Sequence, residues 1–276
     1  MNENFRKKKQ YGQNFLTNKA IPQRIVKESG ITENDGVIEI GPGFGILTKE
    51  LCAAAKKVVS IEIDSELISI LNENMSGTDN FKLINCDILK TDISSLIKNE
   101  FQDMDVCVCA NLPYYITSET VMKLLEGEYG FKTITVMVQK EVAERFCSKP
   151  GTPQYGAITA AINYYADVKR LFTVKAGSFS PKPKVDSAVI RFDVFREPPV
   201  STDSRELFFE IIKAAFGKRR KTLVNAVYSV FSEKIPKEDI LKVIKECGFD
   251  ENIRGEQLDI SAYAKISDSL NKIINQ

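Results

Sequence analysis

For its first two-thirds the chain alternates short apolar runs with amphipathic stretches; after that its period is helical throughout. Val37–Ile40, Val58–Ile63, Phe81–Asn85, Asp105–Ala110 and Thr133–Val138 are nearly continuous in apolar character, as strands buried on both faces are. Between them helices are predicted over Ile46–Ala55, Ser65–Asn74 (with Ser65 as N-cap), Ile93–Lys98 and Thr117–Leu125. Another starts at Lys140, and a short amphipathic helix over residues 19–29, closed by Gly30, precedes the first strand. This alternation predicts an α/β fold, a parallel sheet with helices on both faces. Val168–Val174 and Ala188–Val194 have no helix of comparable length between them and are expected to add to the sheet edge as an antiparallel, hairpin-like pair. Glu197-Pro198-Pro199-Val200-Ser201 has the composition of a linker. Beyond it the apolar positions fall on helical stripes: Phe208, Ile211, Ile212, Ala215 and Phe216; then Leu223, Val227 and Val230; then Ile240, Val243 and Ile244; then Tyr263, Ile266 and Leu270. Two domains follow from this, 1–197 with the sheet and 198–276 as a small all-α domain.

The 276 residues, 43% of them hydrophobic, suit one sizeable α/β domain and a smaller one. A formal charge of +1 means that any nucleic-acid surface must come from local clusters. The chain has no histidine, which removes Ser-His-Asp and Cys-His nucleophiles, histidine-ligated zinc and imidazole acid–base chemistry. Its six cysteines are scattered without a C-x-x-C pair and read as small buried hydrophobes in a reducing cytosol, so no metal is expected. No apolar run approaches a membrane span, and the basic N-terminal stretch has no apolar segment behind it. A cytoplasmic protein without membrane contact is expected.

Glu39-Ile40-Gly41-Pro42-Gly43-Phe44-Gly45 follows the first strand and opens a helix. Glycines such as Gly41 and Gly43 let the backbone turn tightly and approach a ligand. Glu62 ends the second strand, where a carboxylate accepts from ribose hydroxyls. The loop alone fits a methyltransferase, a dinucleotide enzyme or a plain structural turn. Against a dinucleotide stand the early third glycine, the amide lost at Pro42 and the carboxylate of Glu39, which disfavours a pyrophosphate but not the cationic S-adenosylmethionine. Asp87 ends the third strand, placed to accept from an adenine amino group with Ile88 packed on the ring; it reads equally as an ordinary loop aspartate.

Asn111-Leu112-Pro113-Tyr114 ends the fourth strand and is the most specific signal. It resembles the motif of methyltransferases that act on exocyclic amino groups of bases. Such a nitrogen is a poor nucleophile because its lone pair is delocalised into the ring. The Asn111 side-chain oxygen and the Leu112 carbonyl, accepting its hydrogens off the ring plane, would localise that pair for in-line attack without a histidine. Tyr114 offers a stacking face worth roughly 1–3 kcal/mol per base.

The resemblance then extends over nearly the whole chain. Gly12–Leu16, Glu39–Gly45 with Leu47-Thr48, Ile61–Asp64, Asn111–Thr117 (NLPYYIT), Phe179–Ser187, Phe216–Leu223 (FGKRRKTL) and Arg254–Leu258 are similar to the ribosomal RNA small subunit dimethyladenosine transferase family. The resemblance implies a Rossmann-like S-adenosylmethionine-dependent methyltransferase sheet with a helical RNA-recognition domain behind it. It implies that Asn14 and Leu16 line the methionine end of the cofactor site, that Gly41 lies under the methionine, that Glu62 holds ribose and Asp87 adenine, and that Asn111 borders the methyl donor. Phe179 is expected to face Tyr114 across the target base, although it reads also as a core residue at the sheet edge. The implied substrate is two adjacent adenines near the 3′ end of 16S rRNA in the immature small subunit, each methylated twice by a monomeric enzyme.

Lys218-Arg219-Arg220-Lys221 is the candidate RNA-binding run, expected on a helix where at least two charges face outward; a solvated helix end is the plain alternative. Arg6–Lys9 and Lys182/Lys184 are further basic patches. The nearest competing function is the 23S rRNA adenine dimethyltransferase of the macrolide-resistance class, against which NLPYYIT and FGKRRKTL speak.

Overall fold

The computed structural model describes residues 14–275; the basic run Arg6–Lys9 and Gly12-Gln13 lie outside the described residues. The chain runs β1 (Phe15–Leu16), α1 (Ala20–Ser29), β2 (Gly36–Ile40), α2 (Ile46–Ala54), β3 (Lys57–Glu62), α3 (Ser65–Asn74), β4 (Phe81–Asn85), α4 (Ile93–Glu100), β5 (Val106–Asn111), α5 (Thr117–Glu126), β6 (Thr133–Gln139), α6 (Lys140–Phe146), α7 (Ala157–Tyr165), β7 (Ala166–Val174), β8 (Phe179–Ser180) and β9 (Ser187–Val194). Four helices follow: α8 (Arg205–Gly217), α9 (Leu223–Phe231), α10 (Lys237–Glu246) and α11 (Ile260–Ile274).

Seven strands form one sheet in the order β4-β3-β2-β5-β6-β9-β7. The pairs from β4 to β6 are parallel, and β9 is antiparallel to β6 with Ser187 opposite Gln139. β2 and all but the last residue of β5 and of β6 are buried, which is why their sequences are apolar without alternation. The edges alternate instead: β4 exposes Lys82, and Glu100 pairs with both Lys57 and Lys82 there, which blunts the edge against further pairing. Strand order reverses between β2 and β5, so successive crossovers lay helices on both faces and open a crevice at the strand C-termini. α3 is capped by Asp64, whose carboxylate accepts from the Glu66 amide at 3.2 Å, and not by Ser65, which is already helical.

The chain divides into two compact units, residues 1–143 with 167–196, and 144–166 with 197–276. The contiguous boundary expected at 197/198 therefore needs correction: residues 144–166 group with the helical unit. The reason lies in α7, whose pattern AITAAINYY was not resolved as a helix from sequence. Its Tyr164 meets the Phe208 ring at 5.3 Å, and Tyr165 stacks on Phe209 at 5.9 Å and 9°. Arg205 lies against both tyrosines and donates to the Tyr165 hydroxyl at 2.7 Å. α8, α9 and α11 are capped by Ser204, Thr222 and Asp259. Val230, expected on the buried stripe of α9, is 59% exposed, and Phe231 takes the inward position.

Candidate active site

One cavity opens at the C-terminal ends of β2, β3, β4 and β5, where strand order reverses. Its walls bring together Asn14, Leu16, Gly41, Gly43, Glu62, Asp87, Ile88, Asn111, Leu112 and Tyr114. The sequence places these residues in four separate strand ends and an N-terminal segment; parallel register carries them to one rim, with Ile40 beside both Ile61 and Ala110.

The glycine-rich turn is shaped by close approach. Gly43 has φ 60°, and a Cβ there would meet the Phe15 ring at 3.0 Å. Phe15 in turn packs on Phe44 with ring centroids 4.4 Å apart. The Glu62 carboxylate accepts from the Asp64 amide at 2.9 Å and the Gly43 amide at 3.4 Å, so it is oriented before any ligand arrives. Burial pushes its pKa upward. Asp87 accepts from the Leu89 amide at 2.9 Å, which fixes the turn carrying Ile88. Lys123 on α5 donates to the Leu89 and Thr91 carbonyls at 2.7 and 2.9 Å and pins the same loop. Nothing in the sequence pattern marked Lys123, because a lysine on an amphipathic helix looks like any solvated charge.

Glu39 is buried below the turn. Its Oε2 accepts from Thr48 at 2.7 Å and Ser60 at 2.6 Å, and its Oε1 has no hydrogen-bond partner. Burial pushes its pKa up to about 7. The cavity is thus lined by three carboxyls, Glu39, Glu62 and Asp87, and by no lysine or arginine among the described residues. Such a lining, without a cation to pair with phosphate, suits a cationic, hydroxyl-bearing ligand better than a pyrophosphate.

At the other end, Asn111 donates from Nδ2 to the Asn14 carbonyl at 3.2 Å, leaving Oδ1 as its acceptor. The Leu112 amide is used by the Met137 carbonyl at 3.2 Å, which holds the motif against β6. Tyr114 shares a hydrogen bond with Ser187 at 2.9 Å, so its ring is anchored at the hydroxyl. Ser187 belongs to a stretch noted in the sequence but was not singled out; its partner is 73 residues away.

Phe179 requires a correction. It is buried and does not line the cavity. β8 pairs antiparallel with β1, Leu16 opposite Phe179, and this turns the ring into the core with Leu16, Met137, Phe172 and Val189. The same pairing, with the Thr17 amide donating to the Ser178 carbonyl at 2.9 Å, clamps the segment that carries Asn14 and Leu16.

In the helical unit, Lys218–Arg220 form the turn after α8 and not a helix. Lys218, Arg219, Arg220 and Lys221 are all exposed. Arg219 is engaged: Nε donates to Glu256 at 2.7 Å, and Nη2 donates to the Pro153 and Tyr155 carbonyls at 2.7 and 2.9 Å. Arg219 thus also ties that turn to the 153–155 loop. Gly255 next to Glu256 is required for packing, since a Cβ there would come within 2.6 Å of Ala215 and Tyr263. No helix among the described residues is long and apolar enough to cross a membrane.

The chain matches the family described as ribosomal RNA adenine dimethylase over residues 4–272. Ribosomal RNA small subunit methyltransferase A of Clostridium acetobutylicum is 45% identical over 267 residues, 97% of this chain and 95% of that protein. A solved dimethyladenosine transferase from Plasmodium falciparum is similar with a TM-score of 0.80 at 27% identity, over 94% of this chain and 98% of that one. The 23S rRNA methyltransferase ErmE shares the fold, with a TM-score of 0.71 at 24% identity over 94% and 100% of the two chains. A match across nearly the full length, with the motif side chains gathered at one cavity, means that the chain belongs to the ribosomal RNA adenine dimethylase family.

Proposed function

We propose that the chain is an S-adenosylmethionine-dependent rRNA adenine N6,N6-dimethyltransferase that acts on two adjacent adenines in a loop near the 3′ end of 16S rRNA in the immature small subunit. The observation that carries this is the cavity: three carboxyls and no cation among the described residues of its wall, with the Asn111-Leu112-Pro113-Tyr114 motif at one end. The named relative at 45% identity favours the small-subunit substrate over the large-subunit one.

S-adenosylmethionine supplies a methyl group activated on a positively charged sulfur. Glu62 would hold its ribose, Asp87 with Ile88 its adenine, and Asn14, Leu16, Gly41 and Gly43 its methionine end. The chain's own work is positioning. Asn111 Oδ1 and the Leu112 carbonyl accept the hydrogens of the target amino group and draw its nitrogen out of conjugation. Tyr114, held by Ser187, stacks on the extruded base.

Incubation with labelled S-adenosylmethionine tests the assignment. Label is expected in the rRNA of small subunits that lack the marks and not in protein-free large-subunit RNA; the reverse pattern, or no transfer, overturns it.

The helical unit is the proposed RNA-recognition element, with Lys218, Arg220 and Lys221 as phosphate contacts. Two single substitutions separate charge from architecture. Arg220→Ala should leave the melting temperature unchanged, weaken RNA binding and reduce its salt slope by about one. Arg219→Ala should destabilise the unit by about 1–2 kcal/mol, since three hydrogen bonds at a half-exposed site are lost. Thermal melts and salt-titrated binding check both.

A further inference from the structure

Tyr115 follows the base-stacking Tyr114 in sequence, yet the two are placed differently. Tyr114 is anchored by Ser187 at 2.9 Å, whereas Tyr115 lies on the cavity rim with 59% of its surface exposed. Among the described residues few large apolar side chains are exposed to that degree. Val185, also exposed at 41%, and the exposed Lys184 stand two and three residues before Ser187, the hydrogen-bond partner of Tyr114. Tyr115 thus puts an exposed aromatic face at the cavity rim, and the segment that leads to Ser187 exposes an aliphatic side chain and a cation.

That combination is the chemistry of a single-stranded nucleic-acid platform, in which aromatic rings stack bases and lysines follow the phosphates. A base that enters the cavity is joined to its neighbours by one phosphate on each side, so a neighbouring nucleotide must pass over the rim. We propose that Tyr115 is a second base subsite, stacking the nucleobase next to the one being methylated. This rests on the proposed RNA methylation. It assigns the two adjacent adenines to two adjacent tyrosines, one inside the cavity and one on its lip.

The test uses the full chain with unmethylated small subunits, comparing Tyr115→Ala, Tyr115→Phe and Tyr115→Leu. Tyr115→Ala should lower kcat/KM for subunits by about five- to a hundredfold, the range of one lost base stack. Tyr115→Phe should restore it and Tyr115→Leu should not, because area without a flat π-face cannot replace stacking. Calorimetric affinity for S-adenosylmethionine should stay at the parent value in all three. An unchanged kcat/KM in Tyr115→Ala overturns the subsite. Equal rescue by leucine overturns it in favour of a general apolar contact, and a parallel loss of cofactor affinity overturns it in favour of a cofactor wall. If the parent itself transfers no methyl group to small subunits, it is the proposed function that fails.

Discussion

Phe179→Ala is expected to lower folding stability by about 3–5 kcal/mol, the usual cost of removing a fully buried phenyl ring. The ring packs with Leu16, Met137, Phe172 and Val189, and its backbone pairs with Leu16. Its loss leaves a cavity under the β1–β8 pair, and the segment with Asn14 and Leu16 loses its backing. Cofactor affinity should fall together with the melting temperature. Phe179→Tyr should also be poorly tolerated, because a hydroxyl in that cluster has no partner. Thermal melts and calorimetry on both variants check this. A variant that melts like the parent but transfers methyl groups slowly would return Phe179 to the wall of a base pocket.

Asn111→Ala is expected to reduce turnover by roughly a hundred- to a thousandfold, as removal of one preorganised transition-state hydrogen-bonding group does. RNA affinity should be little changed, since the Oδ1 acceptor acts mainly while the amino nitrogen is becoming tetrahedral. A smaller loss of cofactor affinity should accompany it, because Nδ2 also holds the Asn14 carbonyl. Single-turnover methyl transfer and a separate RNA-binding measurement divide the two effects. Near-normal turnover would leave the motif a structural strand exit.

The sheet was legible because strands buried on both faces leave unbroken apolar runs, as in Val106–Ala110 and Thr133–Val138. Glu62, Asp87 and Asn111 were legible because each sits at or just past a strand end, where a carboxylate or amide has little structural reason to be, whereas Asn14 and Leu16 came only from the family resemblance. The rest failed where long-range contact decides. Two-residue strands such as β1 and β8 carry no periodicity, so nothing local turned Phe179 inward. Ser65 and Asp64 are both good caps, and the choice between them depends on where the helix dihedrals begin. Arg219 looks like its neighbours Lys218 and Arg220 until Glu256 and the 153–155 loop come beside it. The helix α7 hid among small and aromatic residues whose partners lie about forty positions further on.

That separation sets an order in time. Residues 144–166 are made before the helices they pack with, and strand β7, the 179–180 segment and strand β9 intervene. At about 5–20 residues per second, Tyr164 and Tyr165 wait on the order of 2–9 s after synthesis before Phe208 and Phe209 exist to cover them. β6 waits similarly for β9, its antiparallel neighbour. During that interval the nascent chain carries an aromatic helix and, in β6, a strand paired with β5 on one side and open on the other. The interval is when this protein is most open to chaperones and to self-association, and a slow codon run between residues 167 and 204 would lengthen it.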